Sequence, residues 1–138
     1  MKCDVYVSMV GDLFHIGHLN ILEYASRLGD ITVGLLTDEA VKTYKRSPIV
    51  SYEDRKTIVS AIRYVDSVVP QETHSYRPNI LKYRPRVLVH GDDWKKGVQQ
   101  DVRNEVVKTL EEVGGTLIEV PYTKGISTTK LIDKVRCT

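Results

Sequence analysis

Short apolar runs alternate with amphipathic segments along the whole chain. Each run is bounded by turn residues and suits one buried strand, and the segments between the runs repeat apolar residues at helical spacing. We expect strands at residues 5–10, 31–36, 67–70, 86–90 and 116–120. We expect helices at residues 19–28, 51–64, 78–82, 101–113 and 127–135, with a short one within 38–45. The alternation predicts an α/β fold, a doubly wound parallel five-stranded sheet with helices on both faces.

The helix expected at 51–64 carries both a start signal and a core face. Ser51 is a typical N-cap, because acidic residues follow it in the first turn. Its buried stripe is expected to consist of Ile58, Val59, Ala61 and Ile62.

Polar clusters follow the predicted strands. They lie at residues 12–18, 37–38, 90–94 and 123–129. Parallel strands end at one edge of their sheet, and ligands bind there at the point where the strand order reverses. We therefore expect these clusters to form one site.

The first cluster contains His15-Ile16-Gly17-His18, between a predicted strand and a predicted helix. Such a junction presents free backbone N–H groups and the positive end of the helix dipole, which bind phosphate. The imidazoles can donate hydrogen bonds to phosphate oxygens as charge develops during transfer. The alternative is that the histidines and the glycine are structural residues of a helix N-terminus.

The last cluster offers a second anion site. Gly125 precedes the hydroxyl run Ser127, Thr128 and Thr129, which opens the final helix. Taken alone, this run is more typical of an ordinary helix cap. Two phosphate sites on one edge suit a triphosphate bound lengthwise, with attack at one phosphorus and departure of the others.

Basic residues near this edge have a functional and a structural interpretation. Lys42, Lys45 and Arg46 could bring positive charge to the triphosphate, or they could form a solvated loop. Arg55 and Arg63 lie on one helix face, where they could bind a second anionic substrate or pair with nearby carboxylates.

Aspartates and a tryptophan complete the candidate chemistry. Asp12, Asp92 and Asp93 could contact ribose, base or metal. Asp12 could hold Mg²⁺, or another divalent cation, because this ion favours one or two carboxylates plus substrate oxygens. Trp94 could stack near the nucleotide, although a single tryptophan is more often a packing residue.

Composition narrows the class of protein. The 138 residues suit one domain, 1–138, and a formal charge of +2 does not indicate a nucleic-acid groove or a membrane-binding surface. Cys3 and Cys137 lack the spacing of a disulfide framework or a zinc site, which favours a reduced setting. The first strand begins too close to Met1 for a signal peptide, and no apolar stretch is long enough to span a membrane. We therefore expect a cytoplasmic protein.

Several segments together resemble one enzyme family. They are His15–His18, Ser51–Lys56, Ile62–Asp66, Gly91–Trp94 and Gly125–Thr129. They are similar to the cytidylyltransferase branch of the HxGH nucleotidyltransferases, and in particular to glycerol-3-phosphate cytidylyltransferases. The resemblance covers nearly the whole chain and implies a Rossmann-like fold and a homodimer. It further implies an enzyme that joins CTP to a small phosphorylated alcohol and releases pyrophosphate.

The resemblance also implies roles for individual residues. His15 and His18 are expected to stabilise the transition state at the α-phosphate, with Lys45 and Arg46 as further catalytic groups. The expected nucleotide-binding residues are Val10, Gly11, Asp12, Gly17, His90, Asp92, Asp93, Trp94, Thr123, Gly125, Ile126, Ser127, Thr128 and Thr129. The expected acceptor-binding residues are Arg55, Arg63, Tyr76 and Arg77.

Two departures from the family pattern indicate a narrower group. Residues 9–12 read Met-Val-Gly-Asp where the family usually has Gly-Thr-Phe-Asp, and 122–125 read Tyr-Thr-Lys-Gly where it usually has Arg-Thr-Glu-Gly. We expect Lys124 to replace part of the missing arginine's contact with the triphosphate. With segments 33–40 and 68–73, these departures resemble the cytidylyltransferase domains associated with phosphoenolpyruvate mutase. That resemblance implies a phosphonate acceptor: hydroxymethyl-, 2-hydroxyethyl- or 2-aminoethylphosphonate.

Other functions fit the same motifs. The acceptor could instead be glycerol 3-phosphate or another phospho-alcohol. The nucleotide could be ATP, as in an adenylyltransferase of the FAD synthetase type, or the chain could be a nucleotide-binding module without turnover. A class I aminoacyl-tRNA synthetase shares the His-x-Gly-His element, but this chain is too short to include a tRNA-reading domain.

Overall fold

A sheet of five parallel strands forms the centre of the computed structural model, which describes residues 3–94, 99–121 and 123–137. The strands are β1 (Val5–Met9), β2 (Ile31–Leu36), β3 (Ser67–Gln71), β4 (Val87–Gly91) and β5 (Thr116–Val120). Their order is β3-β2-β1-β4-β5, and every neighbouring pair is parallel. The order reverses between β1 and β4, which opens a crevice beyond their carboxyl ends. The predicted Rossmann-like α/β class is confirmed.

Helices cover both faces of this sheet. They are α1 (Ile16–Ser26), α2 (Asp38–Lys42), α3 (Tyr52–Ser60), α4 (Arg77–Tyr83), α5 (Gln100–Val113) and α6 (Thr128–Arg136), with a 3₁₀ turn at Asp92–Trp94. One core cluster joins the sheet to Leu22 of α1 and Val59 of α3. A second joins the opposite face to Ile80 of α4 and Leu110 of α5. The core divides into these two clusters because successive side chains of a strand point to opposite faces of the sheet.

Helix α3 differs from its prediction in length and in its buried face. Ser51 caps it as expected, but the helix ends at Ser60 rather than near residue 64. Val59 is fully buried, whereas Ile58 is 47% exposed and Ala61 is also exposed. The predicted stripe is wrong at these two positions because the buried face also includes Arg55, a charged residue that an apolar pattern does not include.

A buried tyrosine, Tyr6, joins the sheet to α4. The Tyr6 hydroxyl on β1 donates to Gln71 Oε1 on β3 at 2.7 Å and accepts from Asn79 Nδ2 on α4 at 3.0 Å. Its ring crosses β2 at Gly34, where an added Cβ would come within 1.8 Å of the hydroxyl oxygen. Glycine is therefore required at position 34, and the two buried polar side chains, Tyr6 and Gln71, both have hydrogen-bond partners.

Within the described ranges, no helix has both the length and the apolar composition that a membrane crossing requires.

Candidate active site

A cleft with two lobes lies at the carboxyl ends of β1 and β4. The inner lobe is a cavity of about 250 Å³, lined by Ser8 of β1 and His90 of β4 among others. The outer lobe is a cavity of about 480 Å³ between the N-terminus of α1 and helix α6. Both lobes are lined by His18, Ile21, Lys45, Arg46, Asp93 and Thr128. A ligand in one lobe can therefore meet a ligand in the other across these shared residues.

The two histidines of α1 cap their own helix. His15 Nδ1 accepts from the backbone N–H of Gly17 at 3.0 Å, and His18 Nδ1 accepts from the backbone N–H of His15 at 3.1 Å. A neutral imidazole that accepts at Nδ1 carries its proton at Nε2. Each ring therefore keeps Nε2–H as a donor for a ligand, so the capping role is compatible with the functional one.

Gly17 keeps the histidine pair compact. A Cβ at this position would lie 2.8 Å from His15 Cε1 and 3.6 Å from the Ile126 side chain. Any larger residue would push the His15 ring away from the backbone N–H that it accepts. The glycine thus preserves the cap, whereas a Cβ would make only an ordinary van der Waals contact with Ile126.

The environment keeps the histidines uncharged. Burial, together with His15 and Lys45 nearby, lowers the pKa of His18 to about 3. Burial also lowers the pKa of His15. Partial burial and the adjacent Arg46 lower the pKa of the Lys45 ammonium. Near neutral pH the histidines therefore act as hydrogen-bond donors, and the positive charge at the cleft comes from the neighbouring basic loop.

The hydroxyl run of α6 contacts the segment that follows β1. Ser127 caps α6 by accepting from the Lys130 N–H at 3.1 Å. Thr128 Oγ1 donates to the backbone oxygen of Asp12 at 2.6 Å. Thr123, just upstream, accepts from Asn20 of α1 at 3.1 Å. The N-termini of α1 and α6 therefore face the same outer lobe, as predicted from the two polar clusters.

Asp12 anchors the basic loop over the cleft. Its buried carboxylate accepts from Arg46 Nη1 at 2.9 Å and from the backbone N–H groups of Ile49 at 2.9 Å and Val50 at 3.0 Å. These donors outweigh burial and lower the pKa of Asp12. The loop that carries Lys45 and Arg46 is thereby tied to the end of β1.

Comparison with known proteins identifies the family. The sequence profile described as cytidylyltransferase-like matches residues 12–134, which include both the histidine pair and the hydroxyl run. The chain belongs to the cytidylyltransferase-like family. Membership confirms the resemblance seen in the sequence and makes the chain a nucleotidyltransferase, as predicted.

Individual relatives in the family differ in length. The chain is 36% identical to glycerol-3-phosphate cytidylyltransferase from Bacillus subtilis (strain 168), and the match covers 90% of each chain. It is 34% identical to the bifunctional protein HldE from Desulfatibacillum aliphaticivorans, over 91% of this chain and 25% of that one. It is 29% identical to a probable ethanolamine-phosphate cytidylyltransferase from Schizosaccharomyces pombe, over 90% of this chain and 33% of that one. The chain thus spans only a part of the two longer relatives.

A solved structure shares the fold of this cytidylyltransferase-like chain. The lipopolysaccharide core biosynthesis protein from Thermoplasma volcanium GSS1 superposes with a TM-score of 0.72 at 21% identity. The superposition covers 89% of this chain and 98% of that one.

The magnesium role expected of Asp12 does not fit its surroundings. Three N–H donors already occupy the carboxylate, and the Arg46 guanidinium beside it would repel a second cation. Among the residues that the structure describes, no three His, Cys, Asp or Glu side chains are close enough to hold a metal ion. Asp12 is therefore corrected to a loop anchor, and Mg²⁺ stays a prediction.

Arg55 is also corrected, from an acceptor contact to a structural residue. Its guanidinium is buried and donates to the backbone oxygens of Val10 at 2.6 Å, Leu36 at 2.8 Å and Val50 at 2.9 Å. It also donates to the Asp38 carboxylate at 2.6 Å. These bonds join the ends of β1 and β2 to the basic loop and leave the side chain no free face toward an acceptor.

The other two expected acceptor arginines lie away from the cleft. Arg63 stacks on the Tyr64 ring after the end of α3, near Asp66, which binds the start of β2. That position is the opposite edge of the sheet. Arg77 forms an ion pair with Glu112 of α5 on the protein surface. Tyr76, by contrast, lines the inner lobe as expected.

His90 and Trp94 form a stacked pair at the inner lobe. Their ring centroids are 3.5 Å apart, with an interplanar angle of 7°. His90 Nδ1 lies 2.7 Å from the Gly91 oxygen and donates to it, which leaves Nε2 as an acceptor. Trp94 is buried and donates to Glu119 at 2.8 Å. His90 therefore lines the cavity, and Trp94 supports it as a packing residue.

Most of the remaining predicted residues reach one lobe. Val10 lines the inner lobe, and Thr123, Ile126, Ser127 and Thr129 line the outer lobe. The residues found in neither lining are Gly11, Lys42, Asp92, Lys124 and Gly125. Lys42 instead pairs with Glu39 at 3.4 Å. Tyr122 lies outside the described residues.

Among the lining residues that were not predicted from the sequence, four have titratable side chains. Tyr44 and His74 stack in the inner lobe with their centroids 3.9 Å apart. Asp133 and Arg136 line the outer lobe from α6. His74 follows β3 at the same sheet edge, so the rule that found the other clusters could have found it. Arg136 gave no comparable signal, because a basic residue in the last turn of a helix is typical of a solvated C-terminus.

Proposed function

We propose that the protein transfers a cytidylyl group from CTP to a small phosphorylated alcohol and releases pyrophosphate. The observation that carries the proposal is that the N-termini of α1 and α6 line the same outer lobe. This lobe is lined by His15 and His18, which keep their Nε2–H donors, and by the N-terminal residues of α6. The inner lobe is also lined by His18 and Lys45. The names of two relatives, which act on glycerol 3-phosphate and ethanolamine phosphate, support this acceptor class.

The two lobes suit two substrates that react at their shared wall. The triphosphate lies along the outer lobe, with its α-phosphorus near His18 and its β- and γ-phosphates toward α6. An oxygen of the acceptor's phosphate attacks the α-phosphorus from the inner lobe. A new O–P bond forms while the bond to the bridging oxygen of the β-phosphate breaks, and pyrophosphate leaves with that electron pair. Because the attacking oxygen is already anionic, this step needs no general base.

The chain's own donors stabilise the charge that develops. His15 and His18 supply two neutral N–H donors, and Lys45 adds a positive charge at the shared wall. The histidine rings are held in place by backbone hydrogen bonds, so little reorganisation accompanies the transfer. Mg²⁺, when bound to the nucleotide, would neutralise charge on the phosphate oxygens.

The inner lobe favours an acceptor whose other end can donate a hydrogen bond. His90 Nε2 is an acceptor, because Nδ1 donates to Gly91. Within the described residues, Ser8 Oγ is buried near the Tyr76 side chain and completes no hydrogen bond of good geometry. A buried polar group of this kind gains stability when a ligand satisfies it. A hydroxyl or a primary amine can do so, whereas the trimethylammonium group of phosphocholine has no N–H or O–H to offer.

Four finer points stay predictions under this proposal. They are the phosphonate acceptor, the Mg²⁺ requirement, the homodimer and the cytoplasmic location. A phosphonate presents the same terminal anionic oxygens as a phosphate ester, so it belongs in the same acceptor screen.

The test is pyrophosphate release with CTP and with ATP, over a panel of acceptors. The panel contains glycerol 3-phosphate, phosphoethanolamine, phosphocholine, hydroxymethylphosphonate, 2-hydroxyethylphosphonate and 2-aminoethylphosphonate. We expect turnover with CTP on the first two acceptors and far less on phosphocholine. Preference for ATP would replace the proposal with the adenylyltransferase alternative. CTP binding without turnover on any acceptor would favour the nucleotide-binding module, and turnover on the phosphonates alone would restore the narrower resemblance.

A further inference from the structure

Arg136 lines the outer lobe although it lies at the last residue of α6. It shares this cavity with His15 and Gly17 across the cleft and with Thr129 on its own helix. No feature of the sequence assigned it a role. Its position requires an explanation, because the C-terminal turn of a helix usually points away from the helix's own N-terminal anion site.

The spacing of α6 provides that explanation. Thr129, Ile132 or Asp133, and Arg136 follow one another at three- or four-residue steps, so they form a single ridge along the helix. Helical side chains tilt toward the N-terminus and cover the turn that precedes their own Cα. An arginine side chain reaches roughly 6 Å, about one helical turn. An Arg136 side chain that follows this tendency can reach along the cavity toward the hydroxyl run.

The charges of the outer lobe leave Arg136 available to a ligand. Of the other basic groups that line this lobe, Arg46 is already paired with Asp12, and Lys45 lies at the shared wall with the inner lobe. Arg136 has no ion-pair partner among the residues that the structure describes. Two carboxylates, Asp93 and Asp133, also line the lobe. A triphosphate held there needs a cation at the end remote from Lys45, and Arg136 is placed at that end.

We propose that Arg136 binds the β- and γ-phosphates of the nucleotide and then the departing pyrophosphate. The inference rests on the proposed function, since it concerns the same triphosphate. The guanidinium presents parallel N–H groups that match phosphate oxygens, which an ammonium cannot reproduce. Arg136 thus takes the contact expected of Lys124, which is exposed and lines neither lobe.

The test compares three variants by calorimetric titration with CTP, CMP and inorganic pyrophosphate. Arg136→Ala should weaken CTP and pyrophosphate binding about tenfold and leave CMP binding unchanged, because CMP lacks the outer phosphates. Arg136→Lys should recover only part of the loss. Lys134→Ala is the matched control: it removes a positive charge from the same helical turn, but Lys134 does not line the cleft, so binding should not change.

The neighbouring carboxylate gives a second measurement. Asp133→Asn should tighten pyrophosphate binding, because it removes a negative charge one turn from Arg136. Equal effects of Arg136→Ala and Lys134→Ala would overturn the inference, since they would show a diffuse charge effect. So would an unchanged affinity for pyrophosphate in Arg136→Ala.

These outcomes are separate from failure of the proposed function. If the wild-type protein prefers ATP, the cytidylyl proposal fails, yet the Arg136 contact with the outer phosphates still shows in the pyrophosphate titration. If the wild-type protein makes CDP products and Arg136→Ala keeps its full affinity for CTP and pyrophosphate, the Arg136 inference alone is wrong.

Discussion

The Thr128 hydroxyl donates a 2.6 Å hydrogen bond to the backbone oxygen of Asp12, a residue 116 positions earlier in the chain. This bond fixes the N-terminus of α6 against the end of β1. Thr128 also lines both lobes, so the same side chain that joins the two segments lies where the reaction is proposed to take place.

Thr128→Val tests this connection, because valine keeps the shape and removes the hydroxyl. We expect a loss of about 1 kcal/mol in the free energy of unfolding, the usual worth of one hydrogen bond. Turnover should fall more than stability alone explains, because α6 loses its position over the outer lobe. Thr128→Ser keeps the hydroxyl and should retain most of the activity. Equal activity of the two variants at a permissive temperature would contradict the positioning role.

His18→Asn separates capping from chemistry. Asparagine Oδ1 can still accept the His15 N–H, whereas no donor remains at the position of Nε2. We expect kcat to fall about 100-fold, a typical cost of one donor to a transition-state oxyanion, with a nearly unchanged melting temperature. His18→Gln, whose longer side chain can place an amide N–H nearer the position of Nε2, should retain more activity than His18→Asn. A His18→Asn protein with wild-type kcat would remove Nε2 from the mechanism.

Stability should fall on acidification below the ordinary histidine range. His18 has a folded-state pKa of about 3, well below the value of 6.5 for an unperturbed histidine. Between these values the unfolded chain binds the extra proton, so the free energy of unfolding rises with pH there and levels off above about 6.5. We expect a loss of about 1 to 2 kcal/mol from His18 between pH 7 and pH 5, from the linkage relation. Urea unfolding at several pH values measures it.

The matched control for that measurement is His18→Asn, which removes the titrating group and should flatten part of the slope. His15, His74 and His90 also have lowered pKa values and contribute in the same direction. Asp12 acts differently, because its lowered pKa means that its contribution is lost only at more acidic pH. An unchanged slope in the variant would show that folding does not lower the pKa of His18.

Arg55 should matter for stability rather than for acceptor binding. Arg55→Lys leaves several buried acceptors without donors, and we expect a loss of about 2 to 4 kcal/mol in the free energy of unfolding. Arg63→Ala and Arg77→Ala are the matched controls and should change the acceptor KM little, because both residues lie outside the cleft. A large increase in acceptor KM in either control would restore the acceptor role predicted from the sequence.

The architecture could be predicted from the sequence, because a parallel sheet needs apolar strands and amphipathic helices in alternation. The meeting of two helix starts at one cleft could be predicted as well, since His15 and Thr128 lie at the beginnings of α1 and α6. Whether a charged residue is buried or exposed was harder to predict. Arg55 satisfies backbone oxygens inside the protein, and a pattern of polar and apolar positions treats every arginine as a surface residue. His74 and Arg136 reach the cleft through loop path and helix orientation, which depend on contacts distant in the chain.

Asp12 contacts both walls of the cleft, α6 through its main chain and the basic loop through its carboxylate. A displacement of one wall can therefore reach the other through this one residue. Ile49 and Val50 are distant from the hydroxyl run along the chain. The hydrogen–deuterium exchange of their amides should nevertheless slow when a nucleotide binds in the outer lobe. The exchange rates of these two amide protons, which donate to Asp12, would then report nucleotide binding and so the order in which the substrates bind.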